Sequence, residues 1–118
     1  MLRFLAALLA AAVAFAQPST RELNDLNWME FQELVPKQIT TVLLPTGTLE
    51  AHGVANNGAD NTAPLAIARQ IAPRVNGLVA PLVNYGMTGN LDAYPGGMTI
   101  SESSYRAFLG DIFDGFAR

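Results

Sequence analysis

The 118 residues include no cysteine, one histidine, one tryptophan and only seven Lys+Arg. Without cysteine there is no disulfide framework, no thiolate zinc site and no lipid-anchored thiol. So few basic residues, within a formal net charge of −3, argue against a nucleic-acid groove and a polybasic membrane patch. The length limits the chain to one small domain with a single core. Long apolar runs are also missing, with one exception at the start. Met1 to Ala16 is apolar throughout except for Arg3, and once it is set aside the rest has the apolar content of an ordinary soluble domain.

That opening segment has the parts of a secretory signal. Arg3 is a short positive region, Phe4 to Phe15 an apolar run, and Ala14-Phe15-Ala16 a small-x-small pattern before Gln17-Pro18. Twelve helical residues span roughly 18 Å, short of the about 30 Å of a hydrocarbon core. The expectation is an exported protein, periplasmic or extracellular, with no stable membrane anchor after cleavage. The plainer alternatives are an uncleaved anchor or a misassigned start. Fold reasoning begins at Gln17, with 17–118 as the folded part.

Gln17 to Asn24 is polar and reads as extended. Asn27 and Glu30 have capping-box spacing, and Trp28, Phe31, Leu34 and Val35 follow at helical intervals until Pro36. Trp28 reads as a packing anchor. Ile39 to Leu44 is β-branched and nearly all apolar, as in a strand covered on both faces. After a Gly/Asn-rich loop, Asp60 or Asn61 is placed to cap a helix reaching Ala72, with Pro64 in its first turn. Leu65, Ala68 and Ala72 give that helix a sheet-facing side. Gly77 to Pro81 reads as a second buried strand, completing a βαβ unit. Met98 to Ile100 reads as an edge strand, and Ser101 as the cap of a last helix. There Tyr105, Phe108, Leu109, Ile112, Phe113 and Phe116 form an apolar stripe expected to be core.

Chemistry concentrates after the first strand, where α/β sheets bind their ligands. Glu50 and His52 are two residues apart, so an extended segment projects both to one side. Asp60 follows at a helix start, where the helix dipole favours a carboxylate. One imidazole and two carboxylates suit Zn²⁺, Mn²⁺ or Fe²⁺. The plainer readings are a structural histidine and a helix-capping aspartate. Asn56-Asn57-Gly58 reads as a turn before it reads as a pocket wall. Gly86 and Gly89 do not open a helix, so they make no phosphate-binding fingerprint.

Leu43-Leu44-Pro45-Thr46-Gly47-Thr48-Leu49-Glu50-Ala51-His52-Gly53, with Asp60 beyond, resembles the first metal motif of the creatininase (creatinine amidohydrolase) family. Leu26-Asn27-Trp28-Met29-Glu30 is similar to that family's opening Leu-Thr-Trp segment, and Asn84-Tyr85-Gly86 and Tyr94-Pro95-Gly96 to its loop landmarks. The resemblance extends over most of residues 23 to 118. It implies an α/β fold, the N-terminal part of a three-layer α/β/α domain with a mainly parallel sheet and roughly twice this length. It also implies a two-metal hydrolase acting on a small, in some cases cyclic, amide C–N bond, homo-oligomeric when full length. Glu50 would ligate one ion, His52 the other, and Asp60 would bridge them; Zn is the first choice, with Mn or Fe as alternatives. Thr88 and Asn90 fall in a loop where the family contacts substrate, the plainer reading being polar loop residues facing solvent.

The remaining ligands would lie beyond Arg118, so the present chain is expected to be an inactive fragment. One departure stands out: Val54-Ala55-Asn56-Asn57 replaces a second histidine common in the family. The interval from His52 to Asp60 is also one residue shorter than usual. A second functional class therefore stays open, a non-catalytic secreted α/β paralogue that binds a ligand or subunits.

Overall fold

The computed structural model describes residues 18–118. The secretory-signal reading of Met1 to Ala16 lies outside them. Two three-residue strands, β1 (Thr41–Leu43) and β2 (Gly77–Val79), pair in parallel with Val42 opposite Leu78. Helix α2 (Ala59–Ile71) is the crossover between them, and α1 (Trp28–Leu34) precedes and α3 (Glu102–Phe116) follows the unit.

Alternation along β2 sorts the layers. Leu78 packs with Leu34 and Ile39, next to Val35 and Leu26, on the α1 side. Its neighbour Val79 packs with Ala68 and Ala72 of α2, next to Leu43 and Leu65. Successive strand residues face opposite ways, so the sheet carries helices on both faces and forms the expected three-layer arrangement. Burying each of Ile39, Leu78 and Val79 contributes about 1.5–3 kcal/mol.

Both strands are shorter than the apolar runs suggest, and the hydrogen bonds explain β1. The Gln38 and Ile39 amides both donate to the Leu34 carbonyl, at 2.8 and 3.0 Å, so Ile39 is buried within the end of α1 rather than in the ladder. Beyond the strands the parallel pairing continues as one bridge, Thr46 with Val83. On the far side of β2 the Val79 amide donates to the Arg21 carbonyl at 2.7 Å. The extended N-terminal segment thus joins the sheet, after which Leu23–Asp25 makes a short 3-10 turn. Arg69 holds the same segment through two hydrogen bonds to Glu22, at 2.9 and 3.2 Å. Those bonds, and then the carboxylate's charge, raise the Arg69 pKa.

The capping box of α1 is formed: the Asn27 side chain accepts from the Met29 and Glu30 amides, and Glu30 accepts from the Asn27 amide. Ser101 caps α3 by accepting from the Ser104 amide. The start of α2 differs from expectation. Gly58 is its N-cap without any side-chain bond, and Asp60 and Asn61 sit inside the first turn. The Gly58 carbonyl instead takes the Asn61 and Thr62 amides at 3.0 and 3.1 Å. Pro64 lies past the first turn, where it cannot donate to the Asp60 carbonyl four residues back.

Three packing expectations are corrected. Met98 to Ile100 contributes only an antiparallel bridge from Met98 to Leu49. Trp28 is 74% exposed, since the α1 face that meets the sheet carries Leu34 and not the indole. No residue of α3 is buried: Phe108 and Phe113 remain more than half exposed. A groove of about 680 Å³ lies between the α3 stripe (Tyr105, Phe108, Ile112, Phe116) and the sheet side at Leu44 and Val83. The sheet of two short strands is too narrow to meet the whole stripe.

Candidate metal centre

The chain leaves β1 through Pro45-Thr46-Gly47, and two long-range bonds hold its course. The Gly47 amide donates to the Val83 carbonyl at 2.8 Å, and the Met98 amide to the Leu49 carbonyl at 3.0 Å. Past Leu49 the chain runs through Glu50 to His52 outside any helix, strand or turn, then turns as the Ala55 amide reaches back to the His52 carbonyl. Gly53 takes φ +64 in that turn, a region where a side chain is strained. The loop closes where the Glu50 amide donates to the Asn57 carbonyl at 3.1 Å, just before α2 begins. Asn57-Gly58 is the turn the sequence suggests.

This path brings the three anticipated side chains together. His52 Nε2 lies 3.6 Å from Glu50 Oε2 and 3.4 Å from Asp60 Oδ2. One ligand atom from each residue falls within 4.8 Å of the others. Donors about 2.1 Å from a tetrahedral Zn²⁺ stand roughly 3.4 Å apart, so these spacings accept an ion with little movement. Glu50 is the most enclosed of the three, His52 is partly enclosed, and Asp60 is half exposed toward solvent.

Chemistry as well as distance fits a divalent cation. One imidazole and two carboxylates bring three potential ligand atoms within reach of one another. His52 Nδ1 is buried without a hydrogen-bond partner among the described residues; in metal-bound histidines the second ring nitrogen usually donates to an acceptor. Zn²⁺, Mn²⁺ and Fe²⁺ all accept this donor set.

Thr88 and Asn90 are placed differently from the triad. Thr88 is buried, its amide donates to Thr99 Oγ1 at 3.2 Å, and its own hydroxyl has no partner among the described residues. Asn90 is exposed on a 3-10 segment, Gly89–Ala93. No hydrogen bond among the described residues joins either to the triad.

Two residues near the centre escape the sequence reading. Thr48 donates its hydroxyl to Glu50 Oε1 at 2.9 Å. It stands two positions before Glu50, so the same alternation that pairs Glu50 with His52 would have found it. Asn61, whose Oδ1 is buried without a partner among the described residues, crowds Gly47 from the first turn of α2. Nothing in the local sequence marks that approach, because it depends on how the helix docks.

A parallel α/β sandwich with imidazole and carboxylates past a strand's carboxyl end defines a class of ligand-binding and hydrolytic folds. The family model described as creatinine amidohydrolase matches residues 24–118, and the chain belongs to the creatininase family. A creatinine amidohydrolase from Pseudomonas putida is 28% identical over 103 residues, covering 81% of this chain and 39% of that protein. Among solved structures, a creatininase in its Mn form superposes with a TM-score of 0.78 at 27% identity, over 84% of this chain and 41% of that one. A mutant creatininase of the Zn–Zn type gives the same values. A mutant creatininase complexed with creatine gives 0.75 at 25% identity, over 84% and 40%. The present chain therefore spans about two-fifths of the length of these relatives.

Proposed function

We propose that the chain is the N-terminal part of an exported, metal-dependent amidohydrolase that cleaves a small amide C–N bond, cyclic amides included. The observation that carries this is the convergence of Glu50, His52 and Asp60 past the end of β1. Similarity to creatininases in Zn–Zn and Mn forms supports a divalent cation, with two ions in the whole protein. The creatine complex of one relative supports a small-molecule substrate. The apolar opening segment is the reason for proposing export, and a homo-oligomer is the assembly that the family resemblance implies.

A bound divalent ion supplies Lewis acidity toward a carbonyl and lowers the pKa of a water. This chain's Glu50, His52 and Asp60 would each supply a ligand to the pair of ions, Glu50 to one and His52 to the other. Two ions need more donors than three, and the rest would come from beyond Arg118. The buried, unpartnered Thr88 hydroxyl and the exposed Asn90 amide are proposed to meet the substrate. Taken alone, residues 17–118 should bind metal weakly and hydrolyse nothing, with the α3 stripe limiting solubility.

The test is divalent metal per chain in the full-length protein, with hydrolysis of small linear and cyclic amides before and after chelation. Metal-dependent hydrolysis restored by Zn²⁺ or Mn²⁺ is expected. Loss of the second histidine common in the family favours the alternative of a non-catalytic paralogue, which would bind ligand or subunits with no turnover under any metal.

A further inference from the structure

Glu50 has two carboxylate oxygens, and the structure assigns them different tasks. Oε1 accepts from the Thr48 hydroxyl at 2.9 Å, while Oε2 faces His52 Nε2 at 3.6 Å. A carboxylate can only accept, so Thr48 is the donor and its lone pairs turn elsewhere. We infer that Thr48, held in one rotamer by Gly86, is the positioning residue that presents Glu50 to a cation through Oε2 alone. This rests on the metal-binding reading of the triad and adds what governs its geometry.

The wall behind Thr48 limits its side-chain rotamer. A Cβ built on Gly86 would stand 2.8 Å from the Thr48 methyl, 3.0 Å from the Gly47 carbonyl oxygen and 3.7 Å from the Tyr105 ring. The Thr48 methyl thus occupies the space that glycine leaves at position 86. A β-branched side chain has few χ1 choices, so a methyl seated there leaves the hydroxyl directed at Glu50. The wall itself is fixed, because the Ile100 amide donates to the Gly86 carbonyl at 2.8 Å just ahead of α3. Glu50 is restrained from the backbone side as well, by the hydrogen bond its N–H donates to the Asn57 carbonyl.

Both the hydroxyl and the empty glycine position are needed. Losing the hydroxyl frees Oε1, so the carboxylate rotates or binds through both oxygens. Adding a methyl at Gly86 displaces the Thr48 methyl and turns the hydroxyl away. Second-sphere changes of this kind typically weaken metal binding by about 10–100-fold.

The experiment measures Zn²⁺ and Mn²⁺ affinity of the full-length protein by calorimetry and chelator competition, with melting of the metal-free protein alongside. Thr48→Val keeps the shape and removes the donor, and should bind about 10–100-fold more weakly with nearly unchanged metal-free melting. Thr48→Ser keeps the donor and should stay within about threefold of the parent. Gly86→Ala should also weaken binding, and Thr48→Ser added to it should recover part of the loss by removing the methyl that collides. A structural role alone would move melting and leave affinity untouched. Thr48→Val binding as tightly as the parent, or Thr48→Ser losing as much as Thr48→Val, overturns the inference. A parent protein that binds neither ion overturns the metal reading beneath it, a distinguishable failure.

Discussion

Gly47 is where the fold and the candidate centre meet, and Gly47→Ala tests whether that approach sets the site. A Cβ on Gly47 would overlap the Asp60 carbonyl oxygen and Asn61 Oδ1 and lie 2.9 Å from Asn61 Cα. The Asn61 side chain can swing aside, but the Asp60 carbonyl and Asn61 Cα are helix backbone. Relaxing 2.9 Å to an ordinary carbon–carbon contact of about 3.5–4.0 Å means moving the first turn of α2 by about 0.6–1 Å. Overpacking of this size costs about 1–3 kcal/mol, enough to lower the Tm of a full-length domain about twice this long by roughly 2–12 °C. The displaced turn carries Asp60, whose Oδ2 is 3.4 Å from His52 Nε2. Functional constellations tolerate about 0.5 Å of misplacement, so divalent-ion affinity should fall by at least about tenfold, near 1.4 kcal/mol. Differential scanning calorimetry with and without Zn²⁺, together with a calorimetric titration, reads both effects. Unchanged melting and unchanged affinity would refute the steric reasoning. Reduced stability with unchanged affinity would show that the ion tolerates Asp60 at the longer distance.

Other substitutions separate the site from the scaffold. His52→Ala removes the shared neighbour of both carboxylates, so the rise in Tm caused by saturating Zn²⁺ should vanish while the metal-free Tm shifts little; a persisting ion-dependent rise would move the site elsewhere. Leu78→Ala hollows the α1 side of the sheet, where Leu78 is 2% exposed, and should cost about 2–5 kcal/mol in urea unfolding. Gly110→Ala lies within α3 with open space around the new Cβ, so it should raise stability by about 0.5–1 kcal/mol and leave ion affinity alone. A destabilised Gly110→Ala would show that α3 meets something at that position.

Much of this arrangement is legible in the sequence wherever cause and effect lie within a few residues. The Asn27/Glu30 capping box and the Ser101 cap depend on groups three positions apart, and both form as read. Glu50 and His52 stand two positions apart, and the expectation that they share a side agrees with the 3.6 Å between His52 Nε2 and Glu50 Oε2. Asp60 reaches them for a different reason from the one its sequence suggests. Gly58 takes the cap position, so the Asp60 side chain is released from capping and sits in the first turn facing His52. Residues whose surroundings come from distant segments are misread. The α3 stripe and Trp28 have the spacing and size of core residues, but periodicity specifies a face without specifying what covers it. Ile39 has a strand residue's side chain, yet its amide is committed to Leu34.

The triad spans only eleven positions, which suggests a centre that local structure could build alone. The hydrogen bonds argue otherwise. Within the loop, the Glu50–Asn57 and His52–Ala55 bonds fix curvature but not position relative to the sheet. Position comes from Gly47 on Val83 and Leu49 on Met98, each joining segments more than thirty residues apart, and from Thr48 seated against Gly86. All three anchors lie after β2, on the strand extension and loops that lead to α3. The loop that carries the donors is therefore only as well placed as the later half of the chain is folded. Divalent-cation binding at Glu50, His52 and Asp60 would stabilise that half without touching it, because it would select the conformations in which Val83, Gly86 and Met98 are already docked.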